Sequence, residues 1–147
     1  MAVRIWTAVV VAGCFRSAAQ PPPISNAGSP APRSAPRTLE VWEGTGYQPD
    51  AESTWTIELR IRRDAAVGAK LGTIEYPSLG CVGDLIRAPD RGTTIVATER
   101  LTVNPDSACV DGGTIVLRDA GDMLDWRWYY TNGEEGATST LRRKPPP

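Results

Sequence analysis

Histidine is absent from the 147 residues of this chain, and its absence removes several function classes at once. Without histidine there is no Ser-His-Asp or Cys-His catalytic pairing, and the commonest general base and zinc ligand are both missing. Most familiar hydrolase mechanisms are therefore excluded. We expect no metal and no cofactor.

An excess of charge of either sign is also missing. The chain has 16 basic and 17 acidic residues, and they are interspersed rather than clustered. No basic stripe is present of the kind that binds a phosphate backbone or an anionic lipid surface. The sequence therefore predicts no nucleic-acid partner.

Cysteine is scarce, with one residue near the N-terminus at Cys14 and two in the body of the chain at Cys81 and Cys109. If Cys14 belongs to an export segment, an even pair remains, and an even pair in an oxidising compartment is typical of a disulfide. A metal site would need more soft ligands than these two thiols. We expect a Cys81–Cys109 bond.

Residues 1–19 have the pattern of a secretory signal, with Arg4 followed by a short apolar run at 5–11 that is too short to span a bilayer. The segment VAGC, which ends at Cys14, resembles the bacterial lipobox. That resemblance implies lipidation of Cys14 and attachment to the membrane through the lipid. The alternative is ordinary signal cleavage after Ala19, which follows two small residues and would release a secreted protein.

Residues 20–38 consist mainly of Pro, Ala, Ser, Gly and Asn, without a periodic apolar set. Such a segment buries too little apolar surface to offset its ordering entropy, which predicts a disordered tether. Residues 145–147 are expected to be a frayed tail. The folded domain then covers residues 39–144.

Within 39–144, apolar residues recur at every second position in short runs, with turn residues between them, and sustained helical spacing is absent. The clearest run places Trp55, Ile57, Leu59 and Ile61 on one face. Eight strands are predicted, at 39–47, 54–62, 68–76, 80–87, 93–103, 114–118, 123–130 and 137–142. Short connections between them favour an all-β, antiparallel, up-and-down, lipocalin-like barrel, with a two-sheet β-sandwich as the alternative.

Four segments of the domain occur in a distinctive order: YPSLGC at 76–81, ERLT at 99–102, CVDGG at 109–113 and WRWYY at 126–130. In this the chain resembles a small uncharacterised bacterial extracytoplasmic β domain, found in short lipoproteins and at the outer C-terminal ends of some membrane-tethered Ser/Thr kinases. The resemblance implies an extracytoplasmic location and brings no catalytic residues with it. A looser architectural likeness connects the chain to lipocalin-like and avidin-like barrels.

Two carboxylates are candidates for an interior site. Glu99 shares a face with Ile95, Ala97 and Leu101, so it would point inward, where an ionised carboxylate needs a partner. That partner would be a polar ligand, an interior arginine or solvent at a strand end. Glu43 follows Leu39 and Val41 on its own face and would be a second inward carboxylate, so an acid and base pair of the glycosidase type is conceivable.

Tryptophans supply the remaining candidates, since Trp42, Trp55, Trp126 and Trp128 would either line a ligand cavity or fill the core. We therefore expect a non-enzymatic, exported and lipid-anchored barrel. Its partners would be the membrane, through the N-terminal lipid, and an unidentified small ligand or cell-envelope protein. The alternative is a secreted inhibitor or interaction module acting through disulfide-stapled loops, and a hydrolase using Glu43 and Glu99 comes third.

Overall fold

The computed structural model of the protein describes residues 38–145, which fold into eight antiparallel strands. Each strand pairs with the next along the chain, and the last pairs with the first, so the sheet closes into a barrel. The predicted barrel is confirmed, and the sandwich is not formed. The strands are β1 (Glu40–Gln48), β2 (Ser53–Ile61), β3 (Lys70–Tyr76), β4 (Cys81–Arg91), β5 (Thr94–Val103), β6 (Thr114–Ala120), β7 (Met123–Tyr129) and β8 (Glu135–Arg143).

The predicted signal segment, with its candidate lipidation site at Cys14, lies outside the described residues, as does the tether up to residue 37. Within residues 38–145, no helix is both long enough and apolar enough to cross a membrane.

The alternation predicted for the strand at 54–62 is present, and the strand predicted at 123–130 alternates in the same way. In β2, Ile57, Leu59 and Ile61 are buried, and in β7 the same holds for Trp126 and Trp128. Polar residues occupy the positions between them and face the outside of the barrel. Side chains on successive residues of a strand point to opposite faces, so burying one set exposes the other.

Strand β4 is longer than predicted and ends at Arg91 rather than at residue 87. The prediction placed Pro89 in the connection between the strands at 80–87 and 93–103. The pairing of β4 with β5 instead shifts register between Ala88 and Arg91, and it resumes where Arg91 lies opposite Thr94. Proline is tolerated at such an irregularity because it has no N–H to contribute to the ladder.

The predicted orientation of β1 is wrong. Trp42 is 3% exposed and points inward, whereas Leu39 is 54% exposed. The side chain of Glu43 is 55% exposed on the outer wall, where it lies 3.5 Å from the Lys144 ammonium. Burying an indole removes more apolar area from water than burying Val41, so Trp42 determines which face of the strand is inside.

The barrel has two different ends. At the first, the chain enters at β1 and leaves at β8, since Trp42 pairs with Arg143. Its interior is filled by large apolar side chains that are almost completely buried: Ile61, Leu71, Leu85, Leu117, Leu124 and Leu141. At the second end lie the connections β1–β2, β3–β4, β5–β6 and β7–β8. We call this second end the mouth.

Cys81 and Cys109 are bonded, as predicted, with their Cα atoms 6.6 Å apart. Cys81 is the first residue of β4, and Cys109 lies in the connection between β5 and β6. The bond therefore attaches the longest connection at the mouth to the neighbouring strand. Closing a loop in this way reduces the entropy of the unfolded chain.

We predict that the double variant Cys81→Ala/Cys109→Ala unfolds with a free energy about 3–4 kcal/mol below that of the disulfide-bonded protein, from the loop-closure entropy. Urea denaturation followed by tryptophan fluorescence measures the difference, and wild type in reducing agent is the matched control. A loss below about 1 kcal/mol would contradict a stabilising role for the bond.

Candidate functional site

A cavity of about 190 Å³ opens at the mouth of the barrel. Five aromatic side chains and one carboxylate dominate its lining: Trp55, Tyr76, Trp126, Trp128, Tyr130 and Glu99. Aromatic walls with a few polar groups are typical of small-molecule sites, and barrel mouths are a usual location for them. Buried aliphatic side chains fill the other end of the barrel. The aromatic side chains near the mouth therefore both pack the core and line this cavity.

Glu99 lies on the inner face of β5 and is only 1% exposed. The Tyr76 hydroxyl donates a hydrogen bond of 2.7 Å to its Oε1. The Trp128 indole Nε1–H donates another, of 2.8 Å, to its Oε2. Both carboxylate oxygens are therefore held by neutral donors from other strands, rather than by an arginine or by solvent at a strand end.

Two glycines, one just before β6 and one in β8, make this arrangement possible. A Cβ atom at Gly113 would lie 2.1 Å from Cε2 of the Trp128 ring, and one at Gly136 would lie 2.8 Å from Cε3 of the same ring. A side chain at either position would displace the indole from its position beside Glu99. The two glycines therefore determine where Trp128 can donate its hydrogen bond.

Burial raises the pKa of the Glu99 carboxyl above its ordinary value of 4.5, because removing a carboxylate from water disfavours its charged form. The hydrogen bonds from Tyr76 and Trp128 act in the opposite direction, and the negative charge of Asp111 adds to the increase. Burial, together with the neighbouring Glu99 charge, also raises the pKa of the Tyr76 phenol well above 10.0.

Two further donors in the lining have no partner among the described residues. They are the indole Nε1–H groups of Trp55 and Trp126, and both nitrogens are buried. A buried donor without an acceptor costs about 1–3 kcal/mol of desolvation free energy. Their rings line the cavity, so an acceptor atom that reached either nitrogen would remove this cost.

Edge-to-face contacts orient the aromatic walls. The Trp128 and Tyr130 rings lie 4.7 Å apart between centroids, and the Trp55 and Tyr76 rings lie 6.4 Å apart. The Tyr130 hydroxyl also accepts a 3.1 Å hydrogen bond from Nε2 of Gln48. Such contacts restrict ring rotation, so the shape of the cavity is largely preformed.

The disulfide-bonded connection forms one wall of the cavity through Ala108, Cys109 and Val110. The side chain of Asn104 bridges to Cys109, accepting from its N–H at 3.0 Å and donating to its carbonyl at 2.9 Å. Asp111 accepts the backbone N–H of Leu101 at 2.8 Å. These bonds and the disulfide together hold the wall against the barrel.

Of the residues predicted as site candidates, the structure brings Trp55, Glu99, Trp126 and Trp128 together. Trp42 is interior, as predicted, but it lies near the opposite end, where its Nε1–H donates to Glu40 at 3.1 Å. The prediction that Glu43 is interior is wrong. It faces outward, so it forms no acid and base pair with Glu99.

The sequence reasoning missed the role of Tyr76, which ends β3 and holds one oxygen of Glu99. Nothing local in the sequence indicated which side chain of another strand it would meet. The ring of Tyr130 also lines the cavity. Contacts between strands that are far apart in sequence depend on register, which alternation alone does not define.

Among residues 38–145, no group of three or more histidine, cysteine or acidic side chains is positioned to hold a metal ion. No protein-family model matches the chain, and neither the curated proteins nor the solved structures include a significant match to it. The residues that form the cavity therefore carry the functional inference by themselves.

We predict that wild type loses stability relative to Glu99→Gln as pH rises from below 4.5 to above the raised pKa of Glu99. In this window the folded state holds the Glu99 proton more tightly than the unfolded state does, so raising the pH favours unfolding. In the variant, the new side-chain amide can still accept from Trp128 and can donate to the Tyr76 hydroxyl. Urea denaturation of both proteins across the pH range measures the difference.

The matched control is Glu43→Gln, which removes a carboxylate from the exposed outer wall. A Glu99→Gln difference that changes with pH no more than the Glu43→Gln difference does would show that burial does not perturb Glu99.

Proposed function

We propose that this protein is an exported, non-enzymatic binding domain, anchored to the cell envelope by lipid on Cys14, that takes a small ligand into the cavity at its mouth. One observation carries the proposal: five aromatic side chains line a cavity that also contains a carboxylate held by two hydrogen bonds. Convergent polar groups inside an aromatic wall are what a small-molecule site requires.

The size of the cavity limits the ligand. Its volume of about 190 Å³ provides room for about six water-sized groups, each of about 30 Å³ in the liquid. A ligand that enters completely would therefore be a small polar metabolite. A lipid or a peptide would occupy the cavity only through one end group or one side chain.

The position of the cavity suits a tethered protein. The barrel begins at Glu40 and ends at Arg143, both at the end opposite to the mouth. A tether would therefore join the barrel at the end opposite to the mouth. The Cys81–Cys109 bond also fits an oxidising compartment outside the cytoplasm.

The hydrogen bonds of Glu99 and the position of Glu43 favour binding over hydrolysis. Both oxygens of Glu99 already accept hydrogen bonds from Tyr76 and Trp128. Glu43, the other half of the conceivable acid and base pair, lies on the outside of the barrel wall. A glycosidase-type mechanism needs two carboxyl groups that face one substrate.

An interaction module is the second candidate, and a specific feature favours it. Leu79, Val103 and Val110 lie in or beside the disulfide-bonded connections at the mouth and are 36%, 49% and 59% exposed. Apolar side chains exposed on a rigid loop are suited to contact a partner protein. Under this alternative, Val110→Asp would weaken partner binding, whereas filling the cavity would leave it unchanged.

We predict that at least one compound from a library of polar metabolites shifts the indole N–H resonances of Trp55 and Trp126 in two-dimensional NMR spectra of the full chain. A ligand that accepts hydrogen bonds from these donors changes their surroundings directly. The Trp42 indole N–H should stay in place, because it is bonded to Glu40 near the closed end.

The matched variant is Ala137→Leu, which adds three carbon atoms to a cavity-lining position that is 4% exposed. It should abolish the shifts while leaving the circular dichroism spectrum of the barrel unchanged. Shifts that persist in this variant, or a library that leaves Trp55 and Trp126 unmoved, would contradict binding in the cavity.

A further inference from the structure

The charge of the cavity lining is entirely negative. Glu99 is the one carboxylic acid among the residues that line it, and no lysine or arginine is included. The other charge that acts on Glu99 is that of Asp111, which is also negative. A ligand with a net negative charge would therefore enter against repulsion and without a counter-ion.

Glu99 has hydrogen-bond donors but no cation. Its two partners, the Tyr76 hydroxyl and the Trp128 indole, are both neutral. Hydrogen bonds offset part of the cost of burying an ionised carboxylate, and an adjacent positive charge offsets more. A cationic ligand would supply the compensation that no described side chain supplies.

Aromatic faces add to the attraction for a cation. The rings of Trp55, Tyr76, Trp126, Trp128 and Tyr130 surround a volume of about 190 Å³. The face of an aromatic ring carries partial negative charge, and a cage of such rings with a carboxylate beside it favours alkylated ammonium groups. These groups suit the site because they are weakly hydrated and lose little when they leave water.

The unpartnered indole donors specify the other part of the ligand. The rings of Trp55 and Trp126 belong to the lining, and their buried Nε1–H groups have no acceptor among the described residues. An ammonium group has no acceptor, so a cation that also carries an oxygen suits the site better. A hydroxyl or alkoxy oxygen supplies this without adding a negative charge next to Glu99.

From these observations we infer that the cavity binds a small organic ammonium ion that carries a hydroxyl or alkoxy oxygen, of the hydroxyalkyl-trimethylammonium class. The ammonium lies among the aromatic rings on the side of Glu99, and the oxygen accepts from the indole of Trp55 or Trp126. The inference rests on the proposed function, and it specifies the ligand of that same cavity. Free molecules and lipid or polymer headgroups of this class share the same chemistry.

The test uses choline and 3,3-dimethylbutan-1-ol, which has the same shape with carbon in place of the charged nitrogen. Titrations of the full chain, followed by the indole resonances, should give choline a Kd at least about tenfold lower than that of the neutral alcohol. Tetramethylammonium, which has the charge without the oxygen, should bind more weakly than choline. Phosphocholine is titrated in the same way. A Kd close to that of choline would indicate a headgroup as the ligand, and a much higher Kd would indicate a free molecule.

Substitution of the carboxylate provides a second measurement. Glu99→Gln should bring the ratio of the two Kd values, choline against the neutral alcohol, close to one. Glu43→Gln, which removes a carboxylate from the outer wall, should leave both affinities unchanged. If Glu99→Gln fails to fold, the comparison of the two ligands on wild type still tests the inference.

Failure of the inference and failure of the proposed function give different results. If the neutral alcohol binds as tightly as choline, the ligand is not selected by charge, and the inference is overturned while the cavity remains a binding site. The same conclusion follows if only neutral or anionic library compounds shift the Trp55 and Trp126 resonances. If no compound of any charge shifts them, both are overturned.

Discussion

The hydrogen-bonded carboxylate of Glu99 is the constraint on which the open end of this barrel depends. An ionised group inside a protein must be stabilised, and here Tyr76 from β3 and Trp128 from β7 donate one hydrogen bond each. These two bonds connect three strands across the interior. They also keep two large rings against the walls, and the space between the rings is the cavity. Replacing this group with an apolar side chain would leave both donors buried without a partner.

Tryptophan rings occupy space inside the barrel that neighbouring glycines leave free. The indole of Trp128 occupies the volume that side chains at Gly113 and Gly136 would fill, and Trp55 lies in the same way against Gly46, where a Cβ atom would come within 2.8 Å of the ring. A large residue that packs beside a glycine can fill the interior of a small barrel without leaving a void. At the end opposite to the mouth, branched aliphatic side chains fill the interior of the barrel. At the mouth, the disulfide-bonded connection covers part of the opening.

Much of the fold followed from alternation alone, because a barrel with a wet outside and a dry inside imposes a period of two on every strand. Ile57, Leu59 and Ile61 show this clearly, and so do Trp126 and Trp128. The failure at β1 has a physical cause, since Leu39 and Val41 suggested one face while Trp42 contributed more buried area on the other. In the site, Glu99 was recognisable as an inward carboxylate. Its partners were not, because Tyr76 and Trp128 are separated from it by 23 and 29 positions and meet it only through strand register.

The buried Glu99 carboxyl accepts a hydrogen bond from the Trp128 indole, so we expect its protonation to be felt at that indole. An NMR pH titration tests this by following the side-chain carboxyl carbon of Glu99 and the indole N–H of Trp128 in the same sample. Both signals should report one pKa, which lies above the ordinary value of 4.5. A Glu99 carboxyl that titrates at or below 4.5, or a Trp128 indole that does not respond to it, would show that Glu99 does not have this role.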